Sequence, residues 1–458
     1  MKNTSIHLSG NQIQTTQLNE NISKEKFLVQ RVINTKIKSP LTSEQASFII
    51  TKRIREFISN KSYNHMFSEG EFWKKNLDKN QGFTRMKNIS ADNIRKLTKN
   101  LGNLDEKEKS FLDQLLKMKF TATHATDANI INKNKTLSLF SRIKLEERNI
   151  HFARDNHSTQ GDISELANDD FVFFSIEPGN GGFKHNSRFG KTIYAVDFDT
   201  PSFLQSSWVS LQEQYISYGQ NSRKHIRDIS EEAHKILSFN EIDIQSNMFI
   251  AKDFKRGLAL SLIEKFRLLP SIDREKLLNT ISVDRMNDII NGIYRPEVKV
   301  PKHFFINHEN GNIKVSCGNG EVLSISDFDN YQIMSSAVYY NYKALRFASN
   351  DLKANISIIK RALMNNEQAI YFVHEQLEND HSLAKEIINF HPLIVKHFPT
   401  TLIDNESIMQ HAIQKDAKLL GFASDRLRDN DELVSKAVSI DPHVLMFASE
   451  RLQNTMNK

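Results

Sequence analysis

Apolar positions along the chain change their period three times. Between residues 41 and about 120 they recur at helical spacing. Phe48, Ile49, Ile50, Ile54, Phe57 and Ile58 follow Thr42-Ser43-Glu44, and Leu112, Leu115, Leu116 and Met118 follow a charged start at Asp105 to Lys109. This spacing predicts a helical region over 41–119. Strand-like runs come next: Asp170-Phe171-Val172-Phe173-Phe174-Ser175-Ile176-Glu177 and Thr192-Ile193-Tyr194-Ala195-Val196-Asp197. Between them, Pro178-Gly179-Asn180-Gly181-Gly182 is a loop signal. Leu258 to Leu268 and Arg274 to Ile293 read as helices. The stretch 120–305 is therefore expected to be a mixed α+β domain, with 306–341 as a linker behind it.

From 342 onward the chain repeats itself. Leu352, Leu377, Leu402, Leu427 and Leu452 are 25 residues apart, as are Leu345, Ile370, Val395, Leu420 and Leu445. Ala362, Ile387, Ala412 and Ala437 keep the same phase, and Phe347, Phe372, Phe422 and Phe447 hold another register broken only by His397. Each unit reads as two short helices with a turn near Asn355, Asp380, Asn405 or Asn430. One unit cannot bury its apolar face, so neighbours must stack into an α-solenoid. The register resembles short helical repeats of unknown function found in tandem elsewhere. Solenoids usually bind partners, and this one holds no catalytic constellation.

Composition narrows the class. The chain has 458 residues, and 39% are hydrophobic against 25% charged. That is the balance of a folded protein with room for a sizeable core. A single cysteine, Cys317, excludes a disulfide framework and a Cys-cluster zinc site. No apolar run approaches the roughly 20 residues of a membrane helix. The net charge of +6 is spread out, with no basic run interleaved with aromatics, so a nucleic-acid partner is not expected. The opening segment, 1–40, is polar and lacks a hydrophobic signal core. It reads as a disordered, type III secretion-signal-like stretch.

Metal chemistry is not expected, because the histidines are scattered and four of them, His381, His391, His397 and His411, fall within the repeats. Walker and Rossmann glycine motifs are missing, and no nucleophile elbow anchors a Ser-His-Asp reading. One arrangement is better ordered. Ser187-Arg188-Phe189-Gly190-Lys191-Thr192-Ile193-Tyr194-Ala195 resembles a segment of the diphtheria-toxin-like, H-Y-E class of ADP-ribosyltransferases. Thr121 to Thr126 lies upstream, where that class carries its NAD-anchoring histidine, and Arg295-Pro296-Glu297-Val298 supplies a glutamate downstream. The resemblance implies His124 on the adenosine ribose, with Thr123 and Phe189 as further NAD-binding residues. It further implies Tyr194 stacked on nicotinamide and Glu297 on the nicotinamide ribose. The chemistry fits these types: nicotinamide departure leaves an oxocarbenium-like ribose, which a fixed carboxylate stabilises.

A second resemblance covers roughly 45–305. Lys61-Ser62-Tyr63-Asn64-His65-Met66-Phe67-Ser68-Glu69-Gly70, the run Ala167 to Glu177, Tyr194 to Pro201, Lys252 to Leu260, and Asp288 to Pro301 look in the same order like segments of the OspC family of type III effectors. The resemblance implies an NAD-dependent arginine ADP-riboxanase, activated by host calmodulin, that blocks host caspases and is delivered into the host cytoplasm. It places catalytic roles on Glu297 and Asp162, and site roles on Glu177 and His185. A guanidinium stays protonated across the physiological range, so it needs a carboxylate base before it can attack. Two departures stand out. Helical repeats replace the family's ankyrin repeats, which leaves the target open. Calmodulin dependence rests on a basic amphipathic stretch with Lys52, Arg53 and Arg55 beside Phe48, Ile54, Phe57 and Ile58. A plain mono-ADP-ribosyltransferase and a catalytically inactive repeat protein that binds a host target are the alternatives.

Overall fold

The computed structural model describes residues 43–74, 81–128, 130–132, 135–150, 160–179, 187, 189–190, 192–212, 226–238, 244–280, 282–316 and 322–456. The secretion-signal-like segment 1–40 lies outside them. The front of the described chain is helical, as the periodicity predicts: α1 (Ser43–Glu69), α2 (Gly82–Leu101) and α3 (Glu106–Lys117). Met86, Ile89, Asn93, Leu97 and Leu101 recur every three or four residues and give α2 one buried face. Asp105 and Glu108 form a reciprocal capping box that starts α3.

Among the described residues ten short strands follow: β1 (Phe120–Thr126), β2 (Thr136–Phe140), β3 (Phe171–Pro178), β4 (Thr192–Asp197), β5 (Trp208–Ser210), β6 (Met248–Ile250), β7 (Glu297–Pro301), β8 (His303–Asn307), β9 (Lys314–Ser316) and β10 (Val322–Ser324). Eight of them form an antiparallel sheet in the order β10-β9-β4-β1-β3-β7-β5-β6, and β2 pairs with β8. The expected α+β architecture is therefore present.

Strand alternation gives the sheet two unlike faces. Ala122, Ile176, Phe174, Val298, Val209, Phe249, Tyr194 and Val196 stand in register on one face and are all buried. This core face packs on α4 (Phe254–Phe266) through an aromatic cluster: Phe120 and Phe198 meet Phe254 edge-on, and Phe174 meets Phe203 and Phe304. At Gly257 of α4 the ring of Phe249 comes so close that a Cβ would lie 2.5 Å from it. The other face carries Phe171, Phe173 and Trp208 at one end, and α1 and α2 cover these with Tyr63, Met66, Phe67, Met86 and Ile89.

Two expectations need correction. The run Arg274–Ile293 is not one helix. It divides into α5 (Ser271–Leu278) and α6 (Val283–Ile293), because Ser282 leaves helical geometry and its hydroxyl accepts from the Arg285 N–H to cap the second. Nor is 306–341 a linker: β9 and β10 complete the sheet, and a helix at Tyr331–Tyr340 opens the solenoid. Three-residue strands are too short for a period to register in sequence.

Each 25-residue unit of the solenoid holds a ten-residue helix, a six-residue 3₁₀ segment and a short helix. Ile356–Asn365, Glu367–Phe372 and His374–Asn379 are one example. The turn residues Asn355, Asp380, Asn405 and Asn430 are the N-caps of the long helices, and their side chains accept from the first-turn N–H groups. The solenoid continues the core of the sheet: Phe347 meets Tyr194 edge-on, with 6.1 Å between ring centroids, and Arg346 donates to the Asp127 carbonyl.

Candidate active site

The polar face of the sheet is greasy at one end and hydrophilic at its centre. Across five adjacent strands one row reads Ala195, Thr123, Ser175, Glu297 and Ser210, each in register with the next. The following row in the same direction holds Asp197, Thr121 and Glu177. The row on the other side is Phe173, Lys299 and Trp208. Local sequence explains the composition: alternation along FVFFSIE and EVKV sends valines, Phe174 and Ile176 inward and leaves Ser175, Glu177, Glu297 and Lys299 on the opposite side.

Glu297 sits at the middle of this face, with its side chain 27% exposed. One carboxylate oxygen lies 3.3 Å from Lys299 Nζ. Lys299 is buried, donates to Ser210 Oγ at 2.9 Å, and lies over the rings of Trp208 and Phe173. Glu177 stands two positions along β3 from Ser175, diagonal to Glu297, and is buried. Diagonal neighbours on adjacent strands are about 7–8 Å apart, so the two carboxylates share one neighbourhood. At the β1 and β4 end, a shallow recess is lined by Thr121, Gly179, Asp197, Asn312 and Lys314.

The expected site residues do not all share this face. Thr123, Glu177 and Glu297 do. His124 and Tyr194 pair with one another and project from the core face instead. Tyr194 is fully buried; its hydroxyl donates to the Ala128 carbonyl and its ring packs on Phe347, which makes it a core residue in this arrangement. His124 is partly buried where β1 parts from β3, just past the last pair Thr123–Ser175. Its Nδ1–H donates to the Phe173 carbonyl at 2.8 Å. Burial pushes its pKa below the ordinary imidazole value, against a smaller opposing effect of that hydrogen bond, so the ring is neutral with Nε2 as its acceptor.

Phe189 is 44% exposed, beside Gly190, whose backbone at φ +150° lies against Thr126 with no room for a side chain. Asp162 lies on the short helix Gln160–Ser164 ahead of β3, and its side chain is outside the described residues. His185 is also outside them. Sequence reading missed Ser175, Ser210, Lys299 and Phe173 as neighbours of Glu297. The usable signal was the two-residue period of the strands around it.

The segments that carried the family resemblance meet in space. Ser62 of α1 donates to Asp170 at 2.7 Å, His65 pairs with Asp169 at 2.9 Å, and Tyr63 meets Phe171 edge-on. Asp170 is buried and also accepts from Ser141. The hydrogen bond to Asp169 raises the His65 pKa above its ordinary value despite opposing desolvation. These residues clamp α1 over the greasy end of the polar face. On α1, Arg53 pairs with Glu56 and Arg55 donates to Gln205, while Ile54 is exposed.

Relatives point the same way. The chain is 24% identical over 282 residues to the arginine ADP-riboxanase OspC3 of Shigella flexneri, covering 54% of this chain and 56% of that protein. It is 26% identical to the arginine ADP-riboxanase OspC1 of Shigella flexneri, over 56% of this chain and 58% of the relative. Arginine ADP-riboxanase CopC of Chromobacterium violaceum is 22% identical over 289 residues, covering 54% and 56%. The chain is thus a distant homologue of the arginine ADP-riboxanases over about half its length, and it spans a little over half the length of these relatives. A domain of unknown function, DUF4116, matches residues 330–378 and 405–453, within the solenoid.

Proposed function

We propose that this chain is an NAD-dependent arginine ADP-riboxanase, with Glu297 as its principal catalytic residue. The observation that carries the proposal is the polar row centred on Glu297, in a chain distantly homologous to the riboxanases. The donor set suits NAD as co-substrate: hydroxyls of Ser175 and Ser210 flank a partly exposed carboxylate, Thr123 extends the row, and an exposed aromatic, Phe189, precedes Gly190, which lies against Thr126 of β1. NAD supplies an activated ribose whose nicotinamide is the leaving group.

Glu297 stabilises positive charge as it develops on that ribose, and it orients the ribose hydroxyls. The arginine guanidinium nitrogen forms the new bond to the ribose carbon as nicotinamide leaves, and it must lose a proton to do so. A second carboxylate takes this proton; Asp162 and Glu177 are the candidates, and Glu177 stands on the same face as Glu297. Ring closure follows, with the ribose 2′-oxygen bonding the guanidinium carbon and ammonia departing. Thr123, Phe189 and His185 are assigned to holding NAD; His124 and Tyr194, which alternation turns to the core face, are not part of this assignment.

In this reading the substrate is a host caspase and the solenoid presents it. Calmodulin is the activator, and the protein reaches host cytoplasm through a type III system. Intact mass spectrometry with NAD, calmodulin and a caspase panel tests the proposal. A gain of ADP-ribose less one ammonia supports it. A gain of full ADP-ribose would replace it with plain mono-ADP-ribosylation, and no gain on any caspase would favour a binding role for the repeats.

A further inference from the structure

We propose that Lys299 is the positioning residue of this site: it fixes the Glu297 carboxylate in its working orientation and holds the pair to the helical layer above the sheet. This inference rests on the reading of Glu297 as catalytic. A buried lysine is unusual, because an ammonium loses its hydration on leaving water and needs partners to replace it. Lys299 is 1% exposed in the middle of β7, between two aromatic residues in direct register with it, Phe173 on β3 and Trp208 on β5. Its Nζ lies 4.5 Å from the Trp208 ring centroid and 5.3 Å from that of Phe173. The rings hold the stem laterally and favour the charge.

The stem can then extend only along the strand, toward Glu297 two residues earlier on the same face. There Nζ donates to Ser210 Oγ at 2.9 Å and to Glu297 Oε2 at 3.3 Å. Phe173 and Trp208 belong to the sheet end that α1 and α2 cover, so the ammonium joins the helix-covered half of the face to the polar half. Helix α1 therefore acts on Glu297 through this lysine: a change in how α1 seats on Phe171, Phe173 and Trp208 moves the cage and, with it, the carboxylate.

The proposal commits to an interaction between two side chains, so it is tested in two independent ways. The first needs no activity. Thermal melts of Glu297→Gln, Lys299→Met and the double variant form a cycle. Glu297→Gln leaves a buried ammonium beside a neutral amide, and its melting temperature falls. Adding Lys299→Met removes the stranded charge and keeps an apolar side chain of similar length, and the melting temperature recovers. Additive shifts would overturn the proposal.

The second uses NAD turnover, read both as hydrolysis and as protein modification. Lys299→Met lowers kcat by about 100-fold, the scale of a roughly 1 Å misplacement, and leaves KM for NAD nearly unchanged. Lys299→Arg, which keeps the cation, recovers part of the lost kcat. Wild-type kcat in Lys299→Met would overturn the proposal, as would an arginine variant no better than the methionine one. If Glu297→Ala retains full turnover, the catalytic reading of Glu297 fails, and the melting cycle still decides whether the two residues are coupled.

Discussion

Replacing Glu108 with glutamine separates the helical region from the α+β domain energetically without changing its shape. Glu108 is fully buried at the start of α3. Its carboxylate accepts from Arg267 Nε and Nη2 at 2.7 Å each and from Arg274 Nη2 at 2.8 Å. Arg267 follows α4 and Arg274 lies on α5, so one carboxylate ties three helices together. These hydrogen bonds, led by Arg267, outweigh desolvation and lower the Glu108 pKa from 4.5 to about 2. Full linkage for that drop is about 3 kcal/mol. The two arginine side chains are 30% and 32% exposed, so solvent screening reduces the expected loss to about 2 kcal/mol.

The sign follows from the direction of the shift. The folded state holds the Glu108 proton less tightly than the unfolded chain does. Its contribution is therefore complete above about pH 4.5 and is lost as pH falls toward about 2. Urea unfolding of the wild type and Glu108→Gln at pH 7, 5 and 3 measures this. The gap between the two proteins should stay constant from pH 7 to 5 and narrow at pH 3. A gap below about 0.5 kcal/mol at pH 7, the size of a neutral surface change, would refute the reasoning, as would one that does not narrow at pH 3.

Two further predictions concern how the sheet is held. Asp170→Ala strands the hydroxyls of Ser62 and Ser141 in a buried setting, and should cost about 2–4 kcal/mol in urea unfolding while loosening α1, read as faster amide exchange there. Gly257→Ala puts a methyl group against the fully buried Phe249 ring, and should lower stability by about 1–3 kcal/mol in the same assay.

Much of this fold could be read from periodicity, and the reasons differ by region. The repeats were plain because each position recurs with the same burial. The spacing of Leu352, Leu377, Leu402, Leu427 and Leu452 is the spacing of stacked, fully or nearly buried leucines. β3 and β4 were visible as runs of β-branched and aromatic residues. β5, β6, β9 and β10 were not, because three residues carry no period and their identity as strands comes from neighbours far away in sequence. The break between α5 and α6 was hidden because Ser282 interrupts an otherwise continuous apolar pattern.

The site was legible only in part. Glu297 and Glu177 stood out through the family resemblance, and register places them on one face. The order His124, Tyr194, Glu297 carried no information about faces. His124 and Tyr194 occupy paired positions that alternation turns to the core side. Lys299 was passed over because a lysine in sequence reads as solvated, whereas here Phe173 and Trp208 enclose it.

The most direct test of the central claim is the mass gained by a caspase incubated with NAD, calmodulin and either the wild-type chain or Glu297→Ala. Catalysis by Glu297 predicts a gain of ADP-ribose less one ammonia with the wild type and no gain with the variant, while the variant keeps its fold by circular dichroism. An equal gain with both proteins would contradict the assignment of Glu297. No gain with either would contradict riboxanation of caspases by this chain.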